Sequence, residues 1–65
     1  MRKEEIVIYL NKKVRINLSN SYNYTGVIVS VDDENTRIID KFKNPVSLMN
    51  HYIVSIAIVG DDQWG

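Results

Sequence analysis

Few residues of this 65-residue chain could do chemistry, and none is arranged for covalent catalysis. There is one histidine, His51, and no cysteine, and no serine stands beside a plausible general base. An activated nucleophile therefore has no candidate, and the chain reads as a non-enzyme. Disulfides and thiolate metal sites are excluded by composition. A single histidine does not make a zinc site, so no metal or cofactor is expected. Asp32, Asp33 and Glu34 form a run of carboxylates, but at a turn they read as solvated charge.

The remaining polar and aromatic residues offer binding chemistry. Asn35 and Thr36 follow the acidic run and could hydrogen-bond a base edge, or serve as plain turn residues. Lys12, Lys13 and Arg15 could contact a phosphate backbone, or form a solvated strand end. Tyr9, Tyr22, Tyr24 and Tyr52 could stack bases, although a small core or a subunit interface would also use them. Trp64 stands in the acidic tail Asp61-Asp62-Gln63-Trp64-Gly65, where it reads as a partner anchor or as disordered.

Charge and size narrow the classes of function. Eight basic and eight acidic residues cancel, which argues against an indiscriminate electrostatic binder of nucleic acid. Five of the eight basic residues (Arg2, Lys3, Lys12, Lys13 and Arg15) fall in the first fifteen positions, so a folded molecule could carry a basic and an acidic face. A chain of this length forms one domain, expected over residues 1–60 with a tail over 61–65, and buries only about 60% of its unfolded surface. Small domains compensate with disulfides, metals or oligomers. With the first two excluded, self-association is expected. No apolar run approaches the roughly 20 residues of a membrane span, and no signal-peptide pattern is present, so a cytoplasmic protein with no membrane partner is expected.

The elements that must position these residues are mostly strands. Val14, Ile16 and Leu18 alternate with Arg15, Asn17 and Ser19, the period of a half-buried strand. Asn20 and Ser21 supply a turn, and a second strand runs from Tyr22 to Val31 with Gly26 inside it, marking a bulge, a bend or a close backbone approach. After the turn at Asp32–Asn35, strands are predicted over Thr36 to Lys41, Val46 to Met49 and Tyr52 to Val59, with a turn at Phe42-Lys43-Asn44-Pro45. Residues 2 to 10 are predicted as a short helix closing near Asn11, with β-branched Ile6, Val7 and Ile8 pulling toward strand. Five short strands with tight turns predict a barrel or sandwich. The fifth is apolar on nearly both faces, as expected of a strand at a subunit interface.

These residues resemble the Sm and Sm-like (LSm) family, which includes Hfq-like proteins. The first Sm motif is similar to Val14-Arg15-Ile16-Asn17-Leu18, then Tyr24-Thr25-Gly26-Val27-Ile28, then Val31-Asp32. The second resembles Val46 to Ile56, and the similarity extends over about residues 6 to 59. The resemblance implies a mainly β fold: a strongly bent, five-stranded antiparallel barrel of SH3-like form with a short N-terminal helix. It also implies a homo-oligomeric ring of six or seven subunits. The ring would pair the fourth strand with the fifth of the next subunit through Val46, Leu48, Val54, Ile56 and Ile58. Its implied ligand is single-stranded RNA, met at the ring's centre by loop residues, with Asn50 and His51 in the positions of the second motif. Where the family has Asp-x-x-Met-Asn, this chain has Asp32-Asp33-Glu34-Asn35-Thr36, and Leu48-Met49-Asn50 stands for Ile-Arg-Gly. The alternative expectation is a structural or adaptor ring with little affinity for nucleic acid.

Overall fold

The computed structural model describes residues 1–59. Gly60, the expected end of the domain, and the tail with Asp61, Asp62 and Trp64 lie outside the described residues. The chain forms a short helix α1 (Lys3–Ile6), a 3-10 turn (Val7–Tyr9), β1 (Lys13–Leu18), β2 (Asn23–Val31), β3 (Asn35–Asp40) and β4 (Pro45–Met49). A second 3-10 turn (Asn50–Tyr52) leads into β5 (Ile53–Ile58).

The N-terminal segment is helical but shorter than residues 2 to 10. The α-helical turn stops at Ile6, and β-branched Val7 and Ile8 continue as tighter 3-10 structure. Such side chains lose χ1 freedom against the preceding helical turn. A four-residue helix is not stable by itself. Here the Glu5 carboxylate accepts the Arg2 N–H at 2.9 Å, and Ile6 is fully buried against the sheet.

All five strands belong to one antiparallel sheet of order β4-β3-β2-β1-β5, open at β4 and β5. β2 is the hinge of the arrangement. Its residues from Asn23 to Val27 pair with β1, and those from Gly26 to Val31 pair with β3. Gly26 sits in both ladders, opposite Val14 and Asp40. A Cβ there would collide with the Ile39 carbonyl oxygen and come within 2.9 Å of Asp40 Cα. Close backbone approach is therefore the reason for this glycine. Two register irregularities lie elsewhere: Ile28 faces Ile38 and Ser30 faces Arg37, leaving Val29 as the extra residue, and Asn17 faces Ser55 and Leu18 faces Ile53, leaving Val54.

Alternation aims Val14, Ile16, Ile28, Ile38, Leu48 and Ile53 inward with Ile6, and these form the buried core among the described residues. Tyr9, Leu10, Leu18, Tyr24, Val31, Val46 and Ile56 pack around it. Thr36 occupies a core position on β3 and is fully buried, so its hydroxyl needs a partner.

The two sheet edges have a definite phase. The Val59 N–H bonds the Lys13 carbonyl. Antiparallel bonding alternates, so Ala57 and Ser55 also face β1, while Ile56 and Ile58 turn their backbone groups to the open side. On β4 the Asp40 N–H bonds Asn44 and the Asn50 N–H bonds Glu34. Val46 and Leu48 therefore face β3, and Pro45, Ser47 and Met49 face outward.

Candidate functional site

Two loops meet where β2 ends and β5 begins, and Asn50 fastens them. Its side-chain Nδ2 donates to the carbonyl oxygens of Asp32 at 2.8 Å and Asp33 at 3.3 Å. Its Oδ1 accepts the Thr36 hydroxyl at 2.6 Å, a bond within the core. Its backbone N–H donates to the Glu34 carbonyl at 2.8 Å. The Met1 α-amino group adds bonds to the carbonyls of Asn50 (2.7 Å) and Ile53 (3.0 Å). The Ser19 N–H bonds the Tyr52 carbonyl at 2.9 Å, which draws in the β1–β2 turn.

The structure thus brings together four of the candidate residues in two different roles. Thr36 and Asn50 are buried, and their polar groups are engaged with each other and with the Asp32–Asp33 backbone. They position the loops and do not face solvent. Asn35 and His51 are exposed on the rim. The His51 ring lies edge-on to Tyr52, with centroids 5.5 Å apart at 69°. This rim offers an amide, an imidazole and a half-exposed phenol ring, a set suited to hydrogen bonding and stacking.

Its electrostatics oppose phosphate. Asp32, Asp33 and Glu34 are all exposed beside it. Lys3 reaches Asp33 at 3.5 Å, but both side chains are well solvated, so the pair adds little. The described residues contain no group of three His, Cys, Asp or Glu side chains placed to hold a metal ion.

Lys12, Lys13 and Arg15 are not part of this cluster. The Ile28 N–H bonds the Lys12 carbonyl, Lys13 faces Val27, and Arg15 faces Thr25 on β2 and Ala57 on β5. Thr36 faces Val31. Val31 lies four steps beyond Val27 on β2, about 13 Å along the strand. Lys13 and Arg15 share the outer face of β1, because Val14 and Ile16 point inward.

The candidate interface residues lie on both edges. Leu48 belongs to the core of its own sheet, Val46 and Ile56 are half-buried, and Val54 and Ile58 are exposed at 60% and 59%. A shallow groove of about 440 Å³ runs beside the β4 edge, lined by Val29, Arg37, Ile39, Pro45, Val46 and Ser47.

One feature is more than the plain turn that the sequence suggests. Between β3 and β4, Lys41-Phe42-Lys43 projects Phe42, the most exposed large apolar side chain among the described residues at 73%. A basic–aromatic–basic triplet is the signal that marks it. No helix among the described residues is long and apolar enough to cross a membrane. Comparison of the chain with family models, characterised proteins and solved structures finds no match.

Proposed function

We propose that this chain is an Sm-like subunit whose open sheet edges join end to end, and that the resulting ring binds single-stranded RNA. The five-stranded sheet is read as a strongly bent, SH3-like barrel, with β4 of one copy paired to β5 of the next. One observation carries the reading. The sheet has two open edges, and β5 presents outward backbone groups at Ile56 and Ile58 together with exposed apolar side chains at Val54 and Ile58. Natural proteins cover or charge such an edge when it is to stay alone. This one carries no charge between Ile53 and Ile58. Ring sizes of six and seven both suit the resemblance.

In that ring the latched loops repeat once per subunit. Asn35, His51 and Tyr52 then act as weak sites made effective by multivalency. Native mass spectrometry of the purified protein, with and without short oligo-U and oligo-A RNA, tests both parts. The expected result is a six- or seven-subunit species that gains the mass of one oligonucleotide. A monomer at tens of micromolar protein would overturn the ring, and an RNA-free ring at low salt would overturn the ligand.

A second reading keeps the ring and removes the RNA: a structural or adaptor ring in the cytoplasm. The three exposed carboxylates Asp32, Asp33 and Glu34 at the loop site favour it, since they repel a phosphate chain. An RNA-free ring in the experiment above selects this reading.

A further inference from the structure

We propose that the β3–β4 turn is a separate contact for single-stranded nucleic acid, with a base stacked on Phe42 and flanking phosphates held by Lys41 and Lys43. The turn is held by a set of short hydrogen bonds centred on Asp40. Asp40 Oδ1 accepts the N–H groups of Phe42 and Asn44, each at 2.9 Å. The Lys43 N–H donates to the Asp40 carbonyl at 2.9 Å, and the Asp40 N–H to the Asn44 carbonyl at 3.0 Å. The Lys41 N–H closes the other side onto the Thr25 carbonyl at 3.1 Å. Five hydrogen bonds thus hold a turn whose outermost side chain is an aromatic ring open to solvent.

Lys43 sits at φ 67°, a left-handed conformation that an ordinary L-residue adopts at a cost of about 1–2 kcal/mol. Glycine would occupy this place without strain, and here the chain carries a lysine. Strain of this kind concentrates where a side chain is needed for binding. The Lys41 ammonium lies 5.4 Å from the Phe42 ring centroid, so a cation already sits by the ring that would take the base.

The chemistry selects a ligand that is both planar and anionic. A lone phenylalanine with two lysines is too small an apolar surface to anchor in a bilayer, whereas one ring and two cations match one base and its two phosphates. Local charge points the same way. Lys41 and Lys43 outweigh Asp40 at the turn, while Asp32, Asp33 and Glu34 outweigh Lys3 at the loop cluster. The turn also lies beyond the last residues of the β3–β4 ladder, so pairing of the β4 edge leaves it exposed on every subunit. Because every base has a stacking face, little sequence preference is expected.

The test is fluorescence anisotropy of labelled 12-nucleotide RNA and DNA (oligo-A and oligo-U or oligo-T) on the intact assembly. Phe42→Ala should weaken binding by about tenfold, the scale of one lost base–aromatic stack. The Lys41→Gln, Lys43→Gln pair should reduce the slope of log K against log salt by about 1.4, two phosphate contacts on a single strand. Tyr22→Ala, which removes another exposed aromatic, should leave binding unchanged. Wild-type affinity in Phe42→Ala, or an equal loss in Tyr22→Ala, would overturn the proposal. Loss on Phe42→Ala with none on His51→Ala would keep the turn and remove the loop site. The converse would keep the loop site and remove the turn. Wild-type protein that binds anionic vesicles and no oligonucleotide would replace the turn's nucleic-acid role with a membrane contact and sink the RNA reading as well.

Discussion

Asn50 is the residue whose loss would be felt most widely, because one buried amide serves a hydroxyl, two carbonyls and a loop. Asn50→Ala strands the fully buried Thr36 hydroxyl and the Asp32 and Asp33 carbonyls. The expected cost is about 1–3 kcal/mol, read by urea denaturation. Thr36→Val leaves Asn50 Oδ1 without its donor and should cost a similar amount. The double variant should cost less than the two single losses added together, since each single change removes the same bond. Strict additivity would show that the 2.6 Å bond is not the shared cause. Gly26→Ala is a different kind of injury. The added methyl meets backbone, which cannot swing away, so about 1–3 kcal/mol of overpacking is expected in the same assay.

At the scale of elements, the β3–β4 turn sets stability against binding. Lys43→Gly removes the left-handed strain but frees the unfolded chain. A net gain of about 0.5–1 kcal/mol is expected in thermal melts. The same variant should bind single-stranded oligonucleotide more weakly, because it lacks one cation. A variant that is both less stable and equally tight would mean the strained lysine serves neither purpose. α1 gives the opposite lesson. Its four residues persist because Ile6 fills a gap in the core, not because the segment favours helix.

For the whole molecule, the decisive property is the pair of open edges. The Ser47 N–H points away from β3, so Ser47→Pro removes an outward donor and no bond of the ladder. Its far-ultraviolet circular dichroism should match that of the wild type, while light scattering should report smaller particles. Ile58→Asp should do the same from the β5 side, because that side chain is more than half exposed in the single subunit. Unchanged particle mass in both variants would remove the edges from the assembly. Ile56 is a poorer probe, since it also packs against its own core.

The strand pattern, the turn positions and the inward-facing residues of β1 were legible in the sequence, because period-2 alternation is a local signal that burial on one face imposes. Val14 and Ile16 on β1 could be assigned to one face without coordinates, whereas the unbroken apolar runs Val27-Ile28-Val29 and Ile38-Ile39 left their faces open. The need for Gly26 was legible too, although not whether it served a bulge, a bend or a close approach. What only the tertiary structure decided depends on partners far apart in the chain. Asn50 meets Thr36 across fourteen positions, so neither residue could be told from an exposed binding group by its neighbours in sequence. Lys12, Lys13 and Arg15 read as phosphate contacts or as a solvated strand end, and only strand register shows that they lie away from the loop cluster along β2. The Lys41-Phe42-Lys43 turn was plain as composition, and Asp40 folds back on it locally, but its tie to the Thr25 carbonyl spans sixteen positions and appears only in the folded sheet.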